Sequence, residues 1–423
     1  MTDVAWIDAV LTSARAQAVA ALLRYFRDLD TAEEAFQEAC LRALKSWPKN
    51  GPPRDAAAWL IMVGKNAAID TVRRQRREEP LPQEELISDL SDAEATTVER
   101  IDAADYRDDI LRLLFVCCHP DLPATQQIAL ALRIVSGLST HQIARAFLVS
   151  DDAMEQRITR AKARVAKANV PFEAPSAVDR SERLAAVAAM LYLLFNEGYT
   201  AGIADDGSRA ALCEEAIRLC RLLLRLFPTE PEIMALTALL LLQHARSRAR
   251  FDSEGSVVLL EEQDRQLWDQ KLIAEGQALI DKAVRHRRPG PYQVQAAIAA
   301  LHARAQRPQD TDWGQIDLLY GALERMQPSP VVTLNRAVAA AKAHGAAAGL
   351  DMIEPLQGKL DGYFYFHGAR GAFLLELGRR EEARVAFNRA IALANTPAEA
   401  AHIRQQLDRL AAPCLEKNLG PRG

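Results

Sequence analysis

Four arginines, Arg73, Arg74, Arg76 and Arg77, close the stretch "AAAWLIMVGKNAAIDTVRRQRR" at 56–77. Guanidinium groups this dense call for an anion between them, and phosphate matches their forked geometry. The same stretch holds one tryptophan, Trp59, and one asparagine, Asn66. An amide can read a base edge and an aromatic ring can stack on a base. Cations at a helix C-terminus are also favoured by the helix dipole with no ligand present, so the run alone does not fix its anion.

A second stretch, "STHQIARAFLVSDDAMEQRITRAKARVAK" at 139–167, carries cations of a different arrangement. A short helix from Thr140 to Phe147, a Leu-Val-Ser turn, and a second helix capped by Ser150 or Asp151 are expected. Ile143, Ala144, Val149, Met154 and Ile158 have the spacing that packs two helices at a steep angle. This is a helix-turn-helix, whose second helix can enter a major groove. Its outward positions include Glu155, Gln156, Arg157 and Arg160, with Lys162, Arg164 and Lys167 trailing toward phosphates. His141, on the first of the two helices, reads as a surface residue or a phosphate neighbour.

Other chemistries find little support. "CCHP" at 117–120 offers three adjacent candidate ligands without a partner pair at zinc spacing, and "LRLLFV" before it makes one cysteine core. Cys213 and Cys220 lie two turns apart on one helix and read as core. No Ser-His-Asp order, phosphate-binding loop or dinucleotide fingerprint occurs, so no enzyme, cofactor or metal site is expected.

The elements that must position these groups are helices. Apolar residues recur every three to four positions over long windows that lack strand-like alternation, which predicts an all-α protein. At 423 residues, two or three domains are expected. Net charge −4 and a pI near 6.1 exclude coating of nucleic acid through bulk charge, leaving local basic patches for any DNA role. "MTDVAWIDAV" has no signal pattern, and the most apolar windows are shorter than the roughly 20 residues that span a bilayer. A cytoplasmic location with reduced cysteines and no membrane partner is expected.

Composition divides the chain into four parts. Residues 1–77 form an amphipathic helical block, 78–108 an acidic linker rich in carboxylates, and 109–172 a helical block basic at its end. Residues 173–423 form a series of helices punctuated by Pro and Gly. Near its end, "GAFLLELGRREEARVAFNRAIALANTP" places Gly371, Gly378, Ala383, Phe387 and Ala390 at the offsets of a tetratricopeptide repeat, with Gly345 one repeat upstream of Gly378.

In this order the segments resemble a sigma-70-type RNA polymerase sigma factor of the extracytoplasmic-function group. "DLDTAEEAFQEACLRALKSW" is similar to the family's core-binding helix, "AWLIMVGKNAAIDTVRRQRR" to its −10-element helix, and "GLSTHQIARAFLVSDDAMEQRITRAKARV" to its −35-element helix-turn-helix. The extension, with "FNEGYTA", "LLEEQDRQLWDQKLIAEG", "GPYQVQAAIAALHA" and "SPVVTLNRAV", resembles a subgroup with a C-terminal tetratricopeptide-like domain. The resemblance implies two small sigma-factor domains, region 2 and region 4, joined by the acidic linker and followed by a helical-repeat array.

Residue roles follow from that resemblance. Glu33, Glu34, Gln37, Glu38 and Leu41 would dock on core RNA polymerase, chiefly its β′ subunit, with the β subunit as the further partner. Asn66 and Trp47 would form the pocket for a flipped −10 base, and Lys65, Arg73, Arg74, Arg76 and Arg77 would hold flanking phosphates. The −35 contacts would come from Thr140, His141, Glu155, Gln156, Arg157, Arg160, Lys162 and Arg164. Trp59 reads as a core anchor, and "WPKNGPPRD" as a wall of the base pocket. The implied function is promoter-specific initiation, with the repeat array regulating or supporting it through a protein or peptide partner. The alternative is a helix-turn-helix regulator binding an operator without polymerase. Two departures stand out: Leu148 occupies a turn position that is commonly Gly, and Asp151, Asp152 and Glu155 open the recognition helix with charges that phosphates repel.

Overall fold

The computed structural model describes residues 5–76, 103–119, 121–147, 149–167, 177–199, 210–252, 258–394 and 397–411. Among them every regular element of any length is a helix. The chain divides into two compact units, Met1–Tyr199 with Ser208–Leu219, and Thr200–Gly207 with Cys220–Gly423.

The first unit opens with α1 (Ala5–Phe26), α2 (Leu29–Asn50) and α3 (Ala56–Arg76), each packed on the other two. Local chemistry sets their ends. Asp28 caps α2 by accepting from the Thr31 amide at 2.7 Å, and Gly51 closes it at φ 77°. The Asp55 carboxylate accepts from the Ala58 amide at 3.0 Å and starts α3. Leu22, Phe36, Ala39 and Leu60 are buried among the three helices.

The unit continues with α4 (Ala103–Cys117), α5 (Ala124–Ala131) with a π-helical turn at Leu132–Ser136, α6 (Thr140–Ala146), α7 (Asp151–Lys167) and α8 (Ala177–Tyr199). Helix α1 packs on α4 and on the π-helical turn, so the two DNA-type blocks of the sequence share one body. The acidic linker lies largely outside the described residues, though its last part, from Ala103, already belongs to α4. Cys117 and Cys118 end in the core, and burial pushes the Cys118 thiol up to about 12.

The expected boundary at 173 does not coincide with the division between units. Helix α8 packs on α4 and α5, and the Arg183 guanidinium sits 5.0 Å from the centre of the Phe115 ring. The unit also includes the first part of α9 (Ala210–Leu226), where the Cys213 thiol lies 3.5 Å from the Phe195 carbonyl. The "VPFEAPSAV" composition break reads as a domain edge, but the apolar face of α8 completes the first core.

The second unit comprises α10 (Pro231–His244), α11 (Gln270–Arg285), α12 (Pro291–Arg304), α13 (Trp313–Met326), α14 (Pro330–His344), α15 (Ala346–Ile353), the single turn α16 (Gln357–Leu360), α17 (Phe364–Glu376), α18 (Arg380–Leu393) and α19 (Pro397–Ala411). Most helices that follow one another in the chain pack together, the rhythm of a helical array. Gly371 faces Phe387 so closely that a Cβ there would lie 2.5 Å from the ring. Gly345 and Gly378, at φ 97° and 76°, turn the chain into α15 and toward α18. No helix among the described residues is long and apolar enough to cross a membrane.

Candidate polymerase and nucleic-acid interfaces

Helix α2 has two faces. Ala32, Ala35, Phe36, Ala39 and Ala43 are buried, while Glu34, Gln37, Leu41, Leu44 and Lys45 face outward. Leu41 is 55% exposed and Leu44 44%, an apolar pair flanked by acids on an otherwise solvated surface. Glu38, half-buried, pairs with Arg42 at 3.1 Å one turn on. Leu44 is a candidate that sequence reasoning passed over, although its i+3 relation to Leu41 was visible.

Glu33 is placed differently from its neighbours. It is 4% exposed and surrounded by Arg15 at 3.4 Å, Arg133 at 3.5 Å and Lys162 at 2.7 Å. Arg15 also donates to the carbonyls of Ile134 at 2.9 Å and Arg133 at 3.2 Å. Burial pulls the Arg15 guanidinium below its ordinary value despite Glu33. Lys162 bridges on to Asp30 at 2.7 Å, and Arg24 reaches Asp109 at 3.3 Å. An acid on the expected docking helix is thus enclosed in part by Arg133 and Lys162 of the other half of the unit.

On α3, Asn66 is exposed and Lys65 is half-buried, with its ammonium 4.2 Å from the centre of the Tyr25 ring. Arg73, Arg74 and Arg76 lie on the last turns of α3, and Arg77 lies outside the described residues. The tryptophans differ from the expectation. Trp47 is 2% exposed, stacked 6.4 Å from Trp6 and edge-on to Trp59 at 5.3 Å. It is the core member of a three-ring cluster, and Trp59 is half-buried. The ring next to the Pro- and Gly-rich turn points inward because α2 continues through Pro48 to Asn50.

The helix-turn-helix forms as α6 and α7. Ser139 and Gln142 make a reciprocal capping box on α6, and the Ser150 hydroxyl accepts from the Ala153 amide at 3.3 Å to start α7. Ile143, Ala144, Met154 and Ile158 are buried between them, with Val149 partly so. Leu148 lies outside the described residues. Glu155, Gln156, Arg160 and Arg164 face outward, Arg157 is half-buried, and Arg160 donates to Gln156 at 3.3 Å. His141 Nδ1 meets the Asp151 carboxylate at 3.0 Å and ties the two helices, while Thr140 opens α6 half-buried. Asp151 and Asp152 occupy the first turn of α7, where the helix dipole favours them, which explains acids at the head of a DNA-type helix. Lys162 does not trail outward; it is turned onto Asp30 and Glu33 of α2.

Three stretches of the chain match known family models. Residues 11–78 match the model of Sigma-70 region 2, and residues 112–165 that of Sigma-70, region 4. Residues 183–284 match a family of unknown function (DUF6596). An uncharacterized protein of Rhizobium meliloti (strain 1021) is 71% identical over 412 residues, covering 97% of each chain. No solved structure matches the chain.

Proposed function

We propose that this chain, which belongs to the sigma-70-type RNA polymerase sigma factors of the extracytoplasmic-function group, docks on core polymerase through α2 and opens a specific promoter through α3 and α7. A role in promoter-directed transcription follows from regions 2 and 4. The observation that carries the finer reading is the outward face of α2. Two exposed leucines one turn apart, bordered by Glu34, Gln37 and Glu38, suit an amphipathic basic partner. Exposed Asn66 on α3 and the outward Gln156, Arg160 and Arg164 on α7 would supply the promoter contacts. The chain would add no reaction chemistry of its own and would work in the cytoplasm.

The enclosure of Glu33 by Arg133 and Lys162 supports a closed resting arrangement, because region 4 then covers part of the docking helix. Polymerase would have to release these ion pairs to reach Glu33. The second unit, tetratricopeptide-like in its α17–α18 hairpin, would bias that opening through a ligand or partner of its own.

Capture of core polymerase by the full chain tests this reading, with Leu41→Asp and Asn66→Ala beside it. Leu41 is exposed, so its variant should fold and lose capture. The Asn66 variant should keep capture and lose strand opening on a promoter fragment. Wild-type capture by the Leu41 variant would remove α2 as the docking surface, and no capture by the unsubstituted chain would leave the operator-binding alternative in front.

A further inference from the structure

The second unit holds a groove that none of the roles above uses. It has a volume of about 570 Å³ and lies between the stretch before α11, α11 itself and the end of α12. That size is in the range of small-molecule pockets. Its polar lining includes Arg265, Arg304, four glutamines and Trp268, and its apolar floor Ile273, Ala274 and Ala303; no aspartate or glutamate among the described residues lines it.

Several of these groups lack the partners that burial demands. Trp268 is 3% exposed, and its indole N–H makes no hydrogen bond among the described residues. A buried donor left this way is costly, because it has given up its water without a replacement. The Arg265 guanidinium lies 4.7 Å from the centre of the Trp268 ring. Its Nη1 donates to the carbonyls of His302 and of Ala305, the latter at 2.7 Å, while its buried Nε has no partner among the described residues. Among the described residues no carboxylate stands within ion-pair distance of Arg265. The acid that acts on it from further off, Asp310, is held at two oxygens by Arg307 at 2.9 and 3.0 Å. Among the described residues Arg304 meets a single acid, Asp281, at 4.0 Å, with both side chains more than half exposed.

The local field is positive as well. Burial, then Arg246, lowers Arg265 below its ordinary value. Burial, then Arg246 and Arg265, hold the His302 imidazole down to about 4. Protein interiors seldom leave a guanidinium without a counter-charge, and here the missing charge has a groove to occupy.

We propose that this groove binds a small organic anion, its carboxylate or phosphate held by Arg265 and Arg304 and the Trp268 indole N–H, and its body resting on Ile273, Ala274 and Ala303. The glutamines at positions 266, 270, 277 and 306 can donate or accept and so would select the rest of the ligand. Arg265, Trp268 and the α11 residues fall within the segment that matches the family of unknown function, so the site gives that segment a chemical role.

The test uses the full chain without polymerase or DNA, so its failure is separate from any failure of the promoter reading. The tryptophan side chains are labelled with nitrogen-15, and the Trp268 indole signal is assigned by its absence in Trp268→Phe. Benzoate, inorganic phosphate and neutral benzamide are then titrated. Benzoate or phosphate should shift the Trp268 signal saturably, and benzamide should not. A response to benzoate alone marks a carboxylate ligand, and to phosphate alone a phosphorylated one. Arg304→Gln, at the exposed rim, should weaken binding about tenfold or more, and Arg265→Gln should abolish it. Arg325→Gln, exposed and outside the groove, should leave it unchanged. No saturable shift by either anion, an equal shift by benzamide, or undiminished binding in the Arg304 variant would overturn the proposal.

Discussion

At the scale of single residues, Lys162 separates two readings of α7. A lysine trailing from a recognition helix should touch phosphate, whereas here it bridges Asp30 and Glu33 at 2.7 Å each. Burial pulls its ammonium down, but the hydrogen bonds to Asp30 and Glu33 outweigh it and leave the group above its ordinary value. A cation raised on folding stabilises fully below its unfolded value and loses that contribution as pH rises through the folded one. The bridge is therefore intact at neutral pH and should dissolve only above the ordinary lysine range. Lys162→Ala should cost the unit about 2 kcal/mol and speed amide hydrogen exchange in α2 and α7. If exchange is unchanged and only DNA affinity falls, the residue serves phosphate instead. Helical periodicity identified α2 and α7, but nothing in a linear pattern says that Lys162 meets a carboxylate 129 residues earlier in the chain. The tryptophans teach the same lesson, since only the continuation of α2 through Pro48 turns Trp47 inward and leaves Trp59 half-buried.

At the scale of elements, the helix-turn-helix and the last hairpin were both legible because small residues and caps act over three or four positions. Ser150 and the Ser139–Gln142 box mark the ends of α6 and α7 through bonds that span a single turn. In the hairpin of α17 and α18, Gly371 allows the helices to approach, and Phe387 fills the space beside it. A methyl group there would overlap the ring, so Gly371→Ala should destabilise the hairpin by about 1–3 kcal/mol. Thermal unfolding of the full chain checks this, and an unchanged transition would mean that Phe387 rotates away freely. Gly378→Ala tests a different cause, the left-handed turn at φ 76°, and should cost about 1–2 kcal/mol with no clash to relieve. The groove at Arg265 was not legible at this scale. Its lining comes from α11, from α12 and from the segment between α10 and α11, and the orphaned indole of Trp268 is a property of packing.

At the scale of the whole molecule, the informative disagreement is the place where the first unit ends. Composition puts the edge near 173, because prolines and small polar residues interrupt the helical pattern there. The core instead takes in α8 and the start of α9, burying Leu184, Val187, Leu191, Leu194 and Phe195. Cutting after residue 172 would strip α8 from α4 and α5, and each large apolar side chain re-exposed forfeits about 1.5–3 kcal/mol. Ending the chain at residue 219 keeps the contacts of α8 with α4 and α5 and of Cys213 with Phe195. The 1–172 chain should therefore unfold earlier or aggregate, and the 1–219 chain should melt cooperatively. Equal stability of the two would assign α8 to the second unit after all. With a folded 1–219 chain in hand, initiation from a promoter fragment measures what the second unit does. Higher activity than the full chain makes the array a restraint on the closed arrangement, and lower activity makes it a support. Equal activity with and without the array removes its regulatory role and leaves the anion groove serving some other purpose.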